Sequence, residues 1–494
     1  MTKNKEKQTS YQRRVYPLDA HDLTEEQIAV AFAMTSRRPE PFDEIAQQVS
    51  QEKAADFHER WVLGYGHASV AEHAVLHLAV ENISRLACDT LEDNRLASYT
   101  EKSSRYQLMP QGYFHVPQEL SGEPALDGLF RETCNRLFQD YVDLLDGCIG
   151  YLQRRDLQRK GERDSAYKLR LRREATDSCR AVLPAATLTN VGVTANARVL
   201  EHAISKLMSS ELDEERALGD EIRVQGRSIT PTLIKYADQI QYLMGAGEVQ
   251  QELALQYAGE PSPTTFSESE KVSSEEVSWC VRLVHWDQQA EEKLAAALLY
   301  RRSHLSYQDI WRQVVDIGTD ARRDIIRRCV EGMGDHDAPV RELELVDYTF
   351  EFLLDYGAYR EFKRHRMQSY IPQLLTVDHG YQVPDLMKEA GLESRFHETL
   401  GLAEVAYRQV QESSPQVAQY LVTHAHNRRV LSKMNLRECY HLFKLRTSSL
   451  AHFSIRQPMI EAMRLAVETH PQLFQHLKLR DYPDWWPFRQ TEGD

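Results

Sequence analysis

Lys363-Arg364-His365-Arg366-Met367-Gln368-Ser369-Tyr370 places two arginines around one histidine, with a serine three residues after the second arginine. An arginine is always charged and presents a planar fork of donors that matches phosphate or carboxylate. Arg-His-Arg is costly to bury unless an anion sits against it, so the alternatives are a solvated basic turn or an anion site. Arg95-Leu-Ala-Ser98-Tyr99-Thr100-Glu101-Lys102-Ser103-Ser104-Arg105-Tyr106 mixes hydroxyls, a carboxylate and two arginines. Such a loop can hold a phosphate through Ser103 and Arg105 while Glu101 accepts from an N–H donor. Gly66-His67-Ala68-Ser69-Val70-Ala71-Glu72-His73 reads as a glycine turn that sets His67 just before a helix start, where anions are favoured. An Asn-x-Arg-x-x-x-His pattern occurs twice, at Asn196, Arg198 and His202 and at Asn435, Arg437 and His441, with Arg446 further along the second. At a helix start, Asn and Arg can both reach a ligand lying over the N-terminus. His73 and His77 have a zinc-pair spacing for a helix, but Ala74–Val80 alternates like a strand and no further ligands cluster there, so no metal is expected.

These residues need elements to hold them. Thr24 is a fitting cap for a helix over 24–34, with Glu25 and Glu26 in its first turn. A second helix is predicted from Ile45 to Tyr65, a strand over 74–80 leading into 83–96, helical segments across 126–175, and a helix from Asn196 to Met208. The charged run from Arg154 to Arg173 reads as a solvated helix face. Residues 258–276 are rich in Ser, Pro and Glu and mark a linker. Beyond it the opening pattern returns. Glu25-Glu26-Gln27-Ile28-Ala29 is echoed by Glu291-Glu292-Lys293-Leu294-Ala295, Arg95…Ser98-Tyr99 by Arg366…Ser369-Tyr370, and the Asn-x-Arg trios follow in order. Order is kept and spacing drifts slowly, which indicates a domain duplicated in tandem. The expected architecture is α+β: two like domains, 15–257 and 277–494, joined by 258–276 and packed about a pseudo-two-fold axis.

The 494 residues allow two or three domains, with an ordinary globular balance of 42% hydrophobic and 27% charged residues. A formal net charge of -14 argues against non-specific binding to nucleic acid or anionic membrane, so an anionic ligand must be captured by local arginines. No apolar run of about 18 residues exists, and Met1–Gln8 lacks a signal-peptide core. Seven scattered cysteines with no Cys-x-x-Cys pair suit a reducing cytoplasm.

Taken together, the motifs resemble the flavin-dependent thymidylate synthases, present here twice. That family carries Gly-His-x-Ser/Thr-x-x-Glu-His, then Arg-His-Arg-x-x-Ser followed by a Ser-x-Arg-Tyr segment, then an Asn-x-Arg helix with a further arginine. The similarity spans most of 16–250 and, more weakly, 281–480. In the first half Asp93-Asn94 replaces Arg-His of the signature, while Arg95, Ser98, Glu101, Ser103, Arg105 and Tyr106 fit; Arg180 matches another nucleotide contact, and Lys206-Leu207 stand where the further arginine is expected. In the second half Arg364, His365, Arg366, Asn435, Arg437, His441 and Arg446 fit, but Ile371–Thr376 replaces the nucleotide segment, Gln419 stands in place of Arg180, and Gly-His-x-Ser is reduced to Asp335-His336-Asp337-Ala338-Pro339.

The resemblance implies FAD as cofactor and deoxyuridylate (dUMP), methylene-tetrahydrofolate and NADPH as partners. It assigns flavin to His67, Arg364, His365, Arg366, Asn435, Arg437 and His441, nucleotide to Arg95, Glu101, Ser103, Arg105 and Arg180, and catalysis to Ser103 and Arg446. Because the losses in the halves are complementary, one composite site built from both is expected, in a homodimer that forms a pseudo-tetramer. Decay of both halves is the rival explanation. Three classes stay open: a thymidylate synthase, a flavoenzyme acting on another pyrimidine nucleotide, and a non-catalytic binding scaffold.

Overall fold

In the computed structural model, residues 16, 18, 22–36, 38–64, 67–258 and 280–488 are described. Of the linker expected at 258–276, Ala258 ends the helix Gln241–Ala258, and the rest, like Gly66 of the expected turn, lies outside them. Among the described residues, seven strands and a larger number of helices make an α+β fold, as the spacing predicts. Strands β1 (Val75–Ser84), β2 (Ser98–Glu101) and β3 (Leu188–Asn196) form one sheet in the order β1-β3-β2. Strands β4 (Val281–Trp286), β5 (Asp347–Asp355), β6 (Ser369–Pro372) and β7 (Asn427–Asn435) form another, β4-β5-β7-β6, with antiparallel pairing of β4 with β5, β5 with β7 and β6 with β7.

Apart from the added edge strand β4, the sheets share one plan, and so do their surroundings. A short helix follows β1 (Arg85–Leu91) and β5 (Tyr356–Phe362); Ser84 and Asp355 cap them by accepting from Ala87 N (2.9 Å) and Ala358 N (2.7 Å). A longer helix follows β3 (Ala197–Met208) and β7 (Leu436–Arg446), capped by Asn196 and Asn435, which accept from Val199 N (2.9 Å) and Glu438 N (2.8 Å). Side-chain oxygens at these caps satisfy donors that a helix start leaves unpaired.

By contacts the chain sorts into two compact units. The first comprises Met1–Val80, Leu96–Thr100 and Val191–Glu252. Its helix Glu25–Met34 starts in a capping box: Thr24 Oγ1 accepts from Gln27 N at 3.3 Å and Gln27 Oε1 from Thr24 N at 3.0 Å. The single helix expected over Ile45–Tyr65 is instead three pieces, Phe42–Gln47, Gln51–Phe57 and a wider π-type turn His58–Gly64. Ser50 causes the first break by accepting from Lys53 N, while Val49 turns into the core beside Val30, Ile45 and Ala54. His73 ends a 3-10 turn, Ala68–His73, and His77 lies on β1 bonded to Thr194 Oγ1 at 2.9 Å, so the two do not share a helix face.

The second unit comprises Glu81–Arg95, Glu101–Asn190 and Leu253–Asp494. Its core fills the space between helices Pro124–Arg155, Asp164–Cys179 and Glu393–Ser413, with Phe138, Tyr141, Leu144, Phe396 and Leu400 fully buried. Each such side chain contributes about 1.5–3 kcal/mol on leaving water. Cys179 is a small core residue in this cluster. Next to it the two repeats meet in a seam of paired hydrogen bonds. Ala185 N donates to Val422 O (2.8 Å) and His424 N to Leu183 O (3.0 Å); Ala186 N donates to Tyr420 O (2.8 Å) and Ala425 N to Ala181 O (2.8 Å). A bridge between Pro184 and Thr423 lies at the middle. Every bond from one repeat is matched by its counterpart from the other, which is the pattern of a local pseudo-two-fold axis.

Candidate functional site

The same seam brings β2's end, the turn at Arg180 and the helix Tyr356–Phe362 around a cavity of about 200 Å³. Arg85, Lys102, Arg105, Arg180, Arg360, Arg364 and Arg446 line it, against the carboxylates Glu101 and Glu361. Seven cations to two anions is a surplus that Asp177, paired with Arg105, and Asp89, 3.7 Å from Arg360, reduce from outside the wall, and the remainder suits an anionic ligand. Ser103 and Ser104 are also in the wall, and Ser103 Oγ shapes the loop by accepting from Arg105 N at 3.2 Å.

Each arginine is held differently. Arg105 is clamped through Nε and Nη2 by Asp177 (2.8 and 3.0 Å). Arg180 Nη1 donates to Ser104 Oγ at 3.4 Å, whereas its buried Nη2 has no hydrogen-bond partner among the described residues. Arg446 donates from Nη1 to Glu361 Oε2 (3.1 Å) and from Nε to His365 Nε2 (2.9 Å). Arg364 is exposed and has no ion-pair partner among the described residues. Burial lowers the pKa of Arg180 and of Arg446, with Glu361 acting in the opposite sense. Both stay charged, because a guanidinium starts far above neutral pH.

Glu101 does not offer its carboxylate to a ligand. Oε1 accepts from Arg85, Arg360 and Thr189 Oγ1 (3.0 Å). Burial pushes its pKa up, but Arg360 and Arg85 outweigh that and hold it far below the usual carboxylate range. The N–H donors expected for it are therefore the chain's own arginines. Arg95 is also placed elsewhere, donating to Ser369 Oγ at 3.0 Å on the surface and not lining the cavity.

A second cavity, about 570 Å³, lies along the helix Leu436–Arg446 and the Asp335–Pro339 loop. Asn435, Arg437, His441 and Lys444 line it with Lys478, Arg480 and the apolar Met367, Leu445 and Leu477. The Asn-x-Arg pair has structural duties here: Asn435 caps the helix, and Arg437 donates to Pro339 O (2.9 Å) and Glu344 (2.7 Å). The first repeat does the same in its own unit, where Asn196 caps and Arg198 pairs with Glu72. His365 is buried between the two cavities. Its Nε2 accepts from Arg446 Nε, so Nδ1 carries the proton and donates to Glu438 Oε1 at 3.1 Å. Burial lowers the pKa of His365 and keeps the ring neutral. His365, Glu438 and His441 lie close enough together to suggest a metal site, and here two of those three ligand groups, His365 Nδ1 and Glu438, are bonded to each other. Arg366 is exposed on the flank, and His67 lies exposed in the first unit at the head of its 3-10 turn.

At the pseudo-symmetric position nothing similar survives. Leu374 and Leu375 stand where Ser103 and Ser104 do, and Leu375 N donates to Gln419 Oε1 at 3.1 Å, the side chain equivalent to Arg180. Asp89 takes the place of Arg360 and is bonded by Lys363 Nζ at 3.0 Å, with Arg428 3.5 Å away. Among the described residues the arginine cradle therefore occurs once in the chain. Sequence reasoning missed Arg85, Asp177, Arg360, Glu361 and His424. The signal available was the pair of charges, Arg360-Glu361, inside an aromatic helix; Asp177 and Arg85 become site residues through their pairs with Arg105 and Glu101, distant in sequence from Asp177 and Arg85.

A family model described as thymidylate synthase complementing protein matches residues 18–232 and again 282–472. The chain belongs to this family. The double match agrees with the repeated elements and with a tandem duplication. Among members of the thymidylate synthase complementing protein family and their relatives, a UPF0159 protein of Chlamydia muridarum is 31% identical over 448 residues, 88% of this chain and 82% of that protein. A UPF0159 protein of Thermoplasma acidophilum is 28% identical over 469 residues, 88% and 91% of the two chains. The flavin-dependent thymidylate synthase of Clostridium tetani is 27% identical over 213 residues, 43% of this chain and 82% of that enzyme. Long relatives thus match both repeats, and the named enzyme matches a length close to one. Among the described residues no helix is long and apolar enough to cross a membrane.

Proposed function

We propose that this chain is a flavin-dependent methyltransferase of the thymidylate synthase type, converting dUMP to dTMP with methylene-tetrahydrofolate and NADPH at one composite site. The observation that carries this is the single cavity in which Ser103, Arg105 and Arg180 of the first repeat meet Arg364 and Arg446 of the second. Arg105, Arg180 and Arg364 take the nucleotide phosphate, with Ser103 donating to it. Arg446, oriented by His365, stabilises negative charge that develops on the pyrimidine ring. His365 stays neutral so that its Nε2 can accept from Arg446.

The larger cavity suits FAD: Lys444, Lys478 and Arg480 answer a diphosphate, and Met367, Leu445 and Leu477 a flat ring. When bound, the flavin supplies the hydride chemistry and the protein supplies orientation and charge. His441 and Arg437 border that cavity and would hold the cofactor, with Arg366 at its edge. The repeats are taken as 15–257 and 277–494, and the working form as a homodimer.

Purified protein is expected to be yellow and to release tritium from 5-tritiated dUMP when supplied with methylene-tetrahydrofolate and NADPH. A yellow protein with no release on dUMP but activity on another pyrimidine nucleotide moves the assignment to that substrate. A colourless protein without nucleotide affinity rejects the enzyme reading.

A further inference from the structure

Glu361 sits where an anion belongs. Its Oε2 accepts from Arg446 Nη1 at 3.1 Å, and its Oε1 lies 3.6 Å from Arg180 Nη2 and 3.9 Å from Arg105 Nη1. Three guanidiniums, two from the first repeat and one from the second, converge on a single carboxylate. Two of the three separations are longer than a hydrogen bond. Arg180 Nη2 is consequently left buried without a hydrogen-bond partner among the described residues. A buried donor without an acceptor carries an uncompensated desolvation cost, which a better-fitting anion would recover. In the first repeat the matching residue is Thr90, which carries no charge.

We propose that Glu361 is an internal surrogate anion that gates the cradle: its carboxylate holds the arginines apart and in place while the site is empty, and a dianionic phosphate group must displace it to bind. The inference rests on the nucleotide reading above and deepens it by naming the residue that sets selectivity for charge. A phosphate oxygen and a carboxylate oxygen cannot share the same N–H fork, and two anions so close repel. Asp177 does not play this part, because it clamps the far side of Arg105 in a bidentate pair.

The test titrates full-length wild type, Glu361→Gln and Glu361→Asp with inorganic phosphate and with dUMP by calorimetry at fixed ionic strength. Removing a like charge at this range is worth at least one pK unit, so Glu361→Gln should bind both about tenfold or more tightly than wild type. Glu361→Asp, with a shorter reach, should fall between, and it keeps the test decisive where the amide variant does not fold. Arg364→Ala placed on top of Glu361→Gln should abolish the gain. Equal or weaker binding by both folded variants, with wild type still binding dUMP, overturns the gate and leaves Glu361 as a brace for the arginines. Failure of wild type and variants alike to bind either anion overturns the nucleotide reading and the gate together.

Discussion

Replacing Glu101 by glutamine removes one negative charge and almost no volume, so it isolates the electrostatics of the cavity wall. Glu101 is buried, and so are its partners Arg85 and Arg360. Without the carboxylate, two buried guanidiniums face each other across a neutral amide, with Asp89 Oδ1 3.7 Å from Arg360 Nε as a more distant anion. Breaking a buried pair by deleting one partner costs about 3–5 kcal/mol, because the remaining charge keeps its desolvation penalty. The hydrogen bond from Thr189 can persist to the amide oxygen, so the loss is due to charge. Urea denaturation of Glu101→Gln against wild type should therefore show a drop of about 3–5 kcal/mol. Adding Arg360→Gln should restore at least about 1 kcal/mol, since one uncompensated cation is gone. A Glu101→Gln protein within about 1 kcal/mol of wild type, or a double variant less stable than the single, would refute the claim that this carboxylate's main work is to neutralise its own chain.

Arg364→Ala should weaken dUMP binding about tenfold or more and leave the melting temperature unchanged, because the side chain is exposed and bonded to no other described residue; calorimetry and a thermal scan check both. Glu438→Leu should lower kcat more than it raises KM, as His365 loses the acceptor that fixes its tautomer and with it the aim of Arg446. Asp355 is fully buried, and that burial raises its pKa to about 6 against the ordinary 3.8. The folded state then holds more protons than the unfolded one between these values, so stability falls as pH rises from about 4 to 6 and stays lower above, by about 3 kcal/mol. Asp355→Asn keeps the helix cap and should remove that slope, which urea titrations at both ends of the window measure. Of the seven cysteines only Cys329 is exposed, so a thiol reagent should modify one residue rapidly in the native protein and seven after denaturation.

Local chemistry was legible in the sequence wherever one residue answers one need. Thr24, Asn196 and Asn435 announce helix starts, and each accepts from its own first turn. The repeat was legible because capping and sheet order are copied along with it. Long-range partnership was not. Nothing in Ser98–Glu101 tells that Glu101 will be gripped by arginines from two different helices. The Arg-His-Arg segment reads as one anion site, yet the structure splits its duties: Arg364 faces the smaller cavity, His365 is a buried link to Arg446 and Glu438, and Arg366 stays at the surface. The break after Gln47 shows the same limit, since Ser50 competes for the backbone only once Val49 is drawn into the core.

The seam at Pro184 and Thr423 also bears on how this protein behaves at low abundance. A cradle assembled from two separate polypeptides empties when they drift apart on dilution. Here both faces are tethered by a single backbone, so their encounter is intramolecular and its yield does not depend on how many copies a cell holds. Freed from the requirement that both faces be identical, the two pseudo-symmetric positions could diverge, one drawing arginines from both repeats and the other left with Leu374, Leu375 and Asp89.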